Sequence, residues 1–119
     1  MPNRRRRNIL VVDDMLTLRE TIKEILSSKG YEVLEASSGE EALEKIEYFP
    51  LDVLLTDCEM RGMNGIELAR RVKALKPDVK IIIMSGRKRY RSKAAKLGTE
   101  CSFLEKPFSI NELEESINS

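Results

Sequence analysis

No histidine occurs anywhere in the 119 residues, and the two cysteines, Cys58 and Cys101, stand far apart with no CxxC spacing. Those shortages exclude the Cys and His ligand sets of zinc sites and any nucleophile activated by an imidazole. Long apolar runs are missing too: none approaches the roughly 20 residues that a bilayer helix needs. The basic N-terminus lacks the apolar stretch of a secretory signal behind it. A soluble, cytoplasmic protein with reduced thiols is the expectation.

The chain is 41% apolar and 34% charged, enough for one packed domain and too short for two. Its net charge of +1 is unevenly spread. Removing Arg4 to Arg7 from the 21 basic residues leaves 17 against 20 acidic ones, about −3 for the remainder. The domain itself is therefore not a basic nucleic-acid module. Residues 1–7, MPNRRRR, have no apolar periodicity and are predicted to be a disordered basic tail, with the domain spanning 8–119. Four arginines make only a weak electrostatic arm.

The central stretch is LDVLLTDCEMRGMNG, residues 51–65. Branched apolar residues stop at the carboxylate of Asp57, as in a strand buried on both faces that ends at a ligand-binding sheet edge. Residues 9–12 form a similar run and exit into Asp13 and Asp14. Leu18, Ile22, Ile25 and Leu26 then make a helical stripe that Gly30 can end. A third strand is predicted over 31–36. Ser38 with Glu41 has the spacing of a capping box, opening a helix through Ala42, Leu43 and Ile46. Leu68, Ala69, Val72 and Leu75 predict another helix, closed by Pro77. A strand over 79–84 follows, ended by Ser85 and Gly86. The strongly basic run 87–97 predicts a fourth helix with Ala94, Ala95 and Leu97 as a thin apolar face. A short strand over 101–104 and an acidic helix striped by Ile110, Leu113 and Ile117 complete five β-α units. Such alternation implies a three-layer α/β fold with a parallel five-stranded sheet.

In a parallel sheet all strand exits share one edge. Asp13, Asp14, Asp57, Ser85 and Lys106 each follow an apolar run, so the fold gathers three carboxylates, a hydroxyl and an ammonium. Two like charges 4 Å apart cost about 4 kcal/mol at an effective dielectric near 20, so three carboxylates call for a cation. Oxygen-only donors favour Mg²⁺. With Lys106 beside it, Asp57 is placed to act as a nucleophile toward a phosphoryl group, and Ser85 to hydrogen-bond that group. A lone acid at a strand exit is usually a solvated loop residue, and a lone lysine before proline usually a surface one. Five suitable residues at four exits do not fit that pattern.

The motifs VVDD at 11–14, DCEMRGMNG at 57–65, IIIMSG at 81–86 and FLEKPF at 103–108 resemble those of bacterial response regulator receiver domains. The resemblance covers nearly the whole chain and implies a flavodoxin-like (βα)5 fold with strand order 2-1-3-4-5. It implies that Asp57 accepts a phosphoryl group from a histidine kinase or phosphotransfer protein. Asp13, Asp14, Asp57 and the backbone carbonyl of Glu59 would bind Mg²⁺, Lys106 would pair with the phosphoryl group, and the peptide bond from Lys106 to Pro107 would be cis. Ser85 and Phe103 match the family's switch pair, which reshapes the surface of helix 4, strand 5 and helix 5. Such a domain assists its own phosphorylation and turns over no external metabolite.

Arg61 stands where the family usually has proline, and Gly86 where alanine is frequent, both suggesting looser loops. Glu59 and Arg87 occupy positions that tune the lifetime of the phosphoryl group. Cys58 reads as a small core residue, and Met60 and Met63 as loop packing. The basic fourth helix reads either as a solvated face or as one side of a symmetric contact, in which Lys88, Arg89, Arg91 or Lys93 meets Glu112, Glu114 or Glu115 of a second copy. Two competing functions remain. A flavodoxin-type ligand-binding domain needs a Ser/Thr/Gly-rich phosphate loop where this chain has DDMLTLRE. A receiver-like interaction scaffold that is never phosphorylated needs no intact acidic trio.

Overall fold

The computed structural model describes residues 7–98 and 101–119. The tail expected over 1–7 therefore lies outside the described residues except for Arg7, which is tied to the domain. Its side chain donates to the Ile117 carbonyl at 2.6 Å, and its own carbonyl accepts from Glu32 N.

The elements are β1 (Asn8–Val12), α1 (Leu16–Ser28), β2 (Glu32–Ala36), α2 (Gly39–Lys45), β3 (Val53–Asp57), α3 (Gly65–Leu75), β4 (Lys80–Ser85), a 3-10 turn (Lys88–Tyr90), α4 (Arg91–Ala95), β5 (Cys101–Glu105) and α5 (Ile110–Asn118). All strand pairs are parallel, in the order β2-β1-β3-β4-β5, as the resemblance implied.

The alternation of side chains along each strand sorts the core into two layers. Leu10, Val12, Leu54, Ile81 and Ile83 face one side, against Ile46 beyond α2, Leu68 and Val72 of α3, and Ala94 of α4. Ile9, Val11, Val53, Leu55, Ile82 and Met84 face the other, against Ile22 and Leu26 of α1 and Leu113 and Ile117 of α5. Every residue of β3 is buried, which accounts for a strand that reads as continuously apolar. Each fully buried branched side chain contributes about 1.5–3 kcal/mol, so the sheet edge carrying the carboxylates is rigidly backed.

Several boundaries and faces differ from the sequence reading. Leu51 is buried but precedes β3, which runs on to include Asp57, and β4 includes Ser85. The fourth helix is much shorter than 87–97. With Ala94 buried and Ala95 exposed, it lacks an apolar stripe wide enough to hold a longer helix on the sheet. Leu75 and Ile110 stand 65% and 46% exposed. Each is a terminal residue of its helix and has helical neighbours on one side only. At α2 the capping box is half formed. Ser38 Oγ accepts from Glu41 N at 3.1 Å, but the Glu41 carboxylate accepts from Ser37 N and Ser37 Oγ instead. The complete reciprocal box lies at α5, between Ser109 and Glu112.

Candidate functional site

Asp13 follows β1 and is still held in its ladder, since its N–H donates to the Ala36 carbonyl. Its Oδ1 accepts from Met15 N at 2.9 Å, and Arg19 donates to its backbone carbonyl at 2.8 Å. Its Oδ2 is buried and has no hydrogen-bond partner among the described residues. A carboxylate oxygen without a hydrogen bond in that position is costly, and the Lys106 ammonium stands 3.7 Å from it.

Asp57 closes β3 and is 6% exposed. Lys106 Nζ donates to its Oδ1 at 2.8 Å. The Lys106 backbone is fixed in turn by donation to the Ser85 carbonyl, and the bond to Pro107 is cis. Burial raises the Asp57 carboxyl above its ordinary value. Lys106 opposes that shift through its hydrogen bond and charge, and Asp13 and Asp14 add to it.

Asp14 is exposed, and its Oδ2 accepts from Arg61 N at 3.2 Å. The loop residue expected to loosen this region thus supplies a backbone donor that proline lacks. Carboxylate oxygens of Asp13, Asp14 and Asp57 lie within 4.8 Å of one another. An orphaned oxygen, two further carboxylates and no nitrogen or sulfur donor among them fit a hard dication such as Mg²⁺.

Ser85 is fully buried at the end of β4. Its hydroxyl contacts Glu59 Oε1 at 3.4 Å and accepts from Arg87 N at 3.0 Å. Phe103 pairs with Ile83 in the sheet register and is half-buried against the α3/α4 side of the core. The Arg91 guanidinium covers its ring, 4.9 Å from the centroid. Glu59 itself turns its carboxylate to Arg87, 2.7 Å from Nε.

Two contributors escape a reading by residue type. A Cβ on Gly65 would lie 2.2 Å from the Asp57 carbonyl oxygen, so the start of α3 sits directly against the backbone of Asp57. The signal available was a glycine opening a helix, which ordinarily reads as loop. Thr56 Oγ1 donates to the Asp57 carbonyl at 2.9 Å, from a strand position that reads as core. Cys58 is 1% exposed, and burial pushes its thiol up to about 11, so it is a neutral core side chain at neutral pH. Met60 and Met63 pack on the same core layer.

Among the described residues no helix is long and apolar enough to cross a membrane. The family model for the response regulator receiver domain matches residues 9–118. The chain is 35% identical over 115 residues to the chemotaxis protein CheY of Thermotoga maritima, covering 94% of this chain and 95% of that protein. It is 32% identical over 111 residues to sporulation initiation phosphotransferase F of Bacillus subtilis, covering 92% and 89%. Among solved structures, response regulator TrrA from Thermotoga maritima, in complex with Mg²⁺-BeF, superposes with a TM-score of 0.84 at 37% identity, covering 94% of this chain and 96% of that one. The acidic edge, the sheet order and these matches agree: the chain belongs to the response regulator receiver domain family of two-component systems.

Proposed function

We propose that the chain is a phosphorylation-operated switch in which Asp57 accepts a phosphoryl group from the phosphohistidine of a kinase or phosphotransfer protein. An Asp57 carboxylate oxygen attacks phosphorus, the phosphorus–nitrogen bond breaks, and its electron pair leaves with the imidazole. Asp13, Asp14, Asp57 and the Glu59 backbone carbonyl would hold Mg²⁺, which when bound neutralises charge on the phosphoryl oxygens. Lys106 exchanges its bond to Asp57 for one to the phosphoryl group, and Ser85 donates its hydroxyl proton to another phosphoryl oxygen. Phe103 then follows Ser85 inward, and the surface of α4, β5 and α5 changes. The domain works in the cytoplasm and turns over no external metabolite. Neither nucleic acid nor membrane is a partner of this domain.

The observation that carries the reading is the 2.8 Å bond from Lys106 Nζ to a buried Asp57 that shares its pocket with Asp13 and Asp14. The solved relative with Mg²⁺-BeF supports the choice of metal. Incubation with Mg²⁺ and acetyl phosphate, followed by intact mass measurement, tests it. A gain of one phosphate, absent in Asp57→Asn, is expected; no gain points to the unphosphorylated scaffold.

The partner surface extends the proposal to a phosphorylation-dependent homodimer through α4, β5 and α5. Within one copy, Lys88 and Arg91 lie 4.0 and 3.7 Å from Glu105. Glu112 serves its own helix cap, and Glu114 lies 3.3 Å from Lys29. Arg89 and Lys93 flank the Tyr90 ring and form no ion pair among the described residues, which makes them the cations offered to Glu115 of a second copy. Light scattering of the phosphorylated chain should show a dimer that dissociates as salt is raised. A monomer at all salt concentrations removes this part.

A further inference from the structure

The exits of β3 and β4 are joined by side chains that neither phosphoryl acceptance nor metal binding requires. Glu59 bridges two groups: its Oε2 lies 2.7 Å from Arg87 Nε, and its Oε1 lies 3.4 Å from Ser85 Oγ. Arg87 closes the triangle from the other side. Its backbone N–H donates to Ser85 Oγ at 3.0 Å, and its carbonyl lies 3.5 Å from the same hydroxyl. Ser85 is fully buried, whereas the Arg87 and Glu59 side chains are 57% and 36% exposed. A half-exposed ion pair thus sits over a buried hydroxyl.

A serine hydroxyl has one proton to donate. While that proton is directed at Glu59 or at the Arg87 carbonyl, it is withheld from a phosphoryl group on Asp57. We infer that Glu59 and Arg87 are positioning residues that latch the Ser85 hydroxyl in a resting orientation, so that opening the latch adds to the barrier for phosphorylating Asp57. The inference rests on Asp57 being the acceptor. It gives the two charged side chains one shared role, where independent roles would oppose each other.

That sharing separates a latch from simple charge effects. Acetyl phosphate is anionic, so if only local charge mattered, Glu59→Gln would speed labelling and Arg87→Gln would slow it. A latch is broken by either change. The rate of mass gain with acetyl phosphate and Mg²⁺ should therefore rise about two- to five-fold in each variant, equivalent to about 0.4–1 kcal/mol at 1.4 kcal/mol per tenfold. That range matches what partly exposed ion pairs contribute. The double variant should be no faster than the faster single one, and Arg87→Lys, which keeps the charge, should stay near the wild-type rate. As a readout independent of rate, the Arg87 Nε–H resonance should be visible in the resting protein and lost on adding Mg²⁺ with beryllofluoride. Slower labelling in Arg87→Gln, multiplicative effects in the double variant, or an unchanged Arg87 resonance overturns the latch while leaving Asp57 as acceptor. Absence of any mass gain in the wild type overturns both.

Discussion

Asp57 is held between opposing forces. Burial and two neighbouring carboxylates favour its neutral form and Lys106 favours its charged one, and the net effect is a carboxyl raised above its ordinary value. A carboxyl whose folded pKa is raised binds its proton more tightly in the native state, so it costs stability above that pKa and the cost disappears below the unfolded value of 3.8. Asp57→Asn should accordingly raise the Tm at pH 7 in metal-free buffer, on a scale of about 4 °C per kcal/mol relieved. The difference from wild type should shrink as the pH approaches 3.8. A lower Tm at pH 7, measured by circular dichroism, would mean that the lost bond to Lys106 outweighs the relief. Gly86 offers a contrasting case, because a Cβ there meets nothing within 4 Å among the described residues and its φ is not in the left-handed region. Gly86→Ala should stabilise the chain by about 0.4–1 kcal/mol in urea unfolding, by restricting the unfolded state.

At the scale of elements, the start of α3 decides where Asp57 sits. Gly65 N donates to the Cys58 carbonyl at 2.8 Å, and no Cβ fits between this glycine and the Asp57 backbone. Gly65→Ala should lose about 1–3 kcal/mol in the same unfolding measurement, as overpacking does. It should also slow labelling of Asp57 in the folded fraction. The acidic pocket was legible from residue types alone, because a parallel sheet brings the ends of its apolar runs to one edge and Asp13, Asp14 and Asp57 all stand at such ends. The two-layer core was equally legible in strands buried on both faces. The contact of Gly65 with β3 was not legible, since it depends on how closely two backbones approach. The fate of the Glu41 carboxylate was also hidden. Its spacing from Ser38 fits a reciprocal cap, yet it bonds Ser37 and lies 3.0 Å from Lys45. Those bonds, the Ser37 backbone donor foremost, hold the Glu41 carboxyl down at about 2. A depressed acid contributes stability above its unfolded value of 4.5 and loses it as the pH falls toward 2. Glu41 is more than a third exposed, so solvent screening limits this to less than about 1 kcal/mol. Glu41→Gln should melt slightly lower than wild type at pH 7, and the two should converge between pH 4.5 and 2. A gap that persists at pH 2 would assign the effect to helix packing instead.

Across the whole molecule, three carboxylates from two central strands are brought together by a sheet whose register is fixed by fully buried side chains on both faces. Lys106, arriving after the edge strand β5, supplies one positive charge against three negative ones. The core thus enforces a local charge imbalance, and the buried Asp13 Oδ2, without a hydrogen-bond partner among the described residues, concentrates its cost. A dication that binds the folded chain and not the unfolded one must then stabilise the fold, by about 2.7 kcal/mol at a concentration 100 times its Kd. Thermal melts in MgCl2 should move up with concentration beyond the shift given by NaCl at equal ionic strength, because screening acts on exposed charges more than on buried ones. Asp13→Asn should remove most of this Mg²⁺-dependent shift while raising the melting temperature in metal-free buffer, since the same carboxylate that would hold the ion is the one left unsatisfied without it. Equal shifts in MgCl2 and NaCl would mean that the carboxylates are relieved by screening alone and that the pocket does not select a dication.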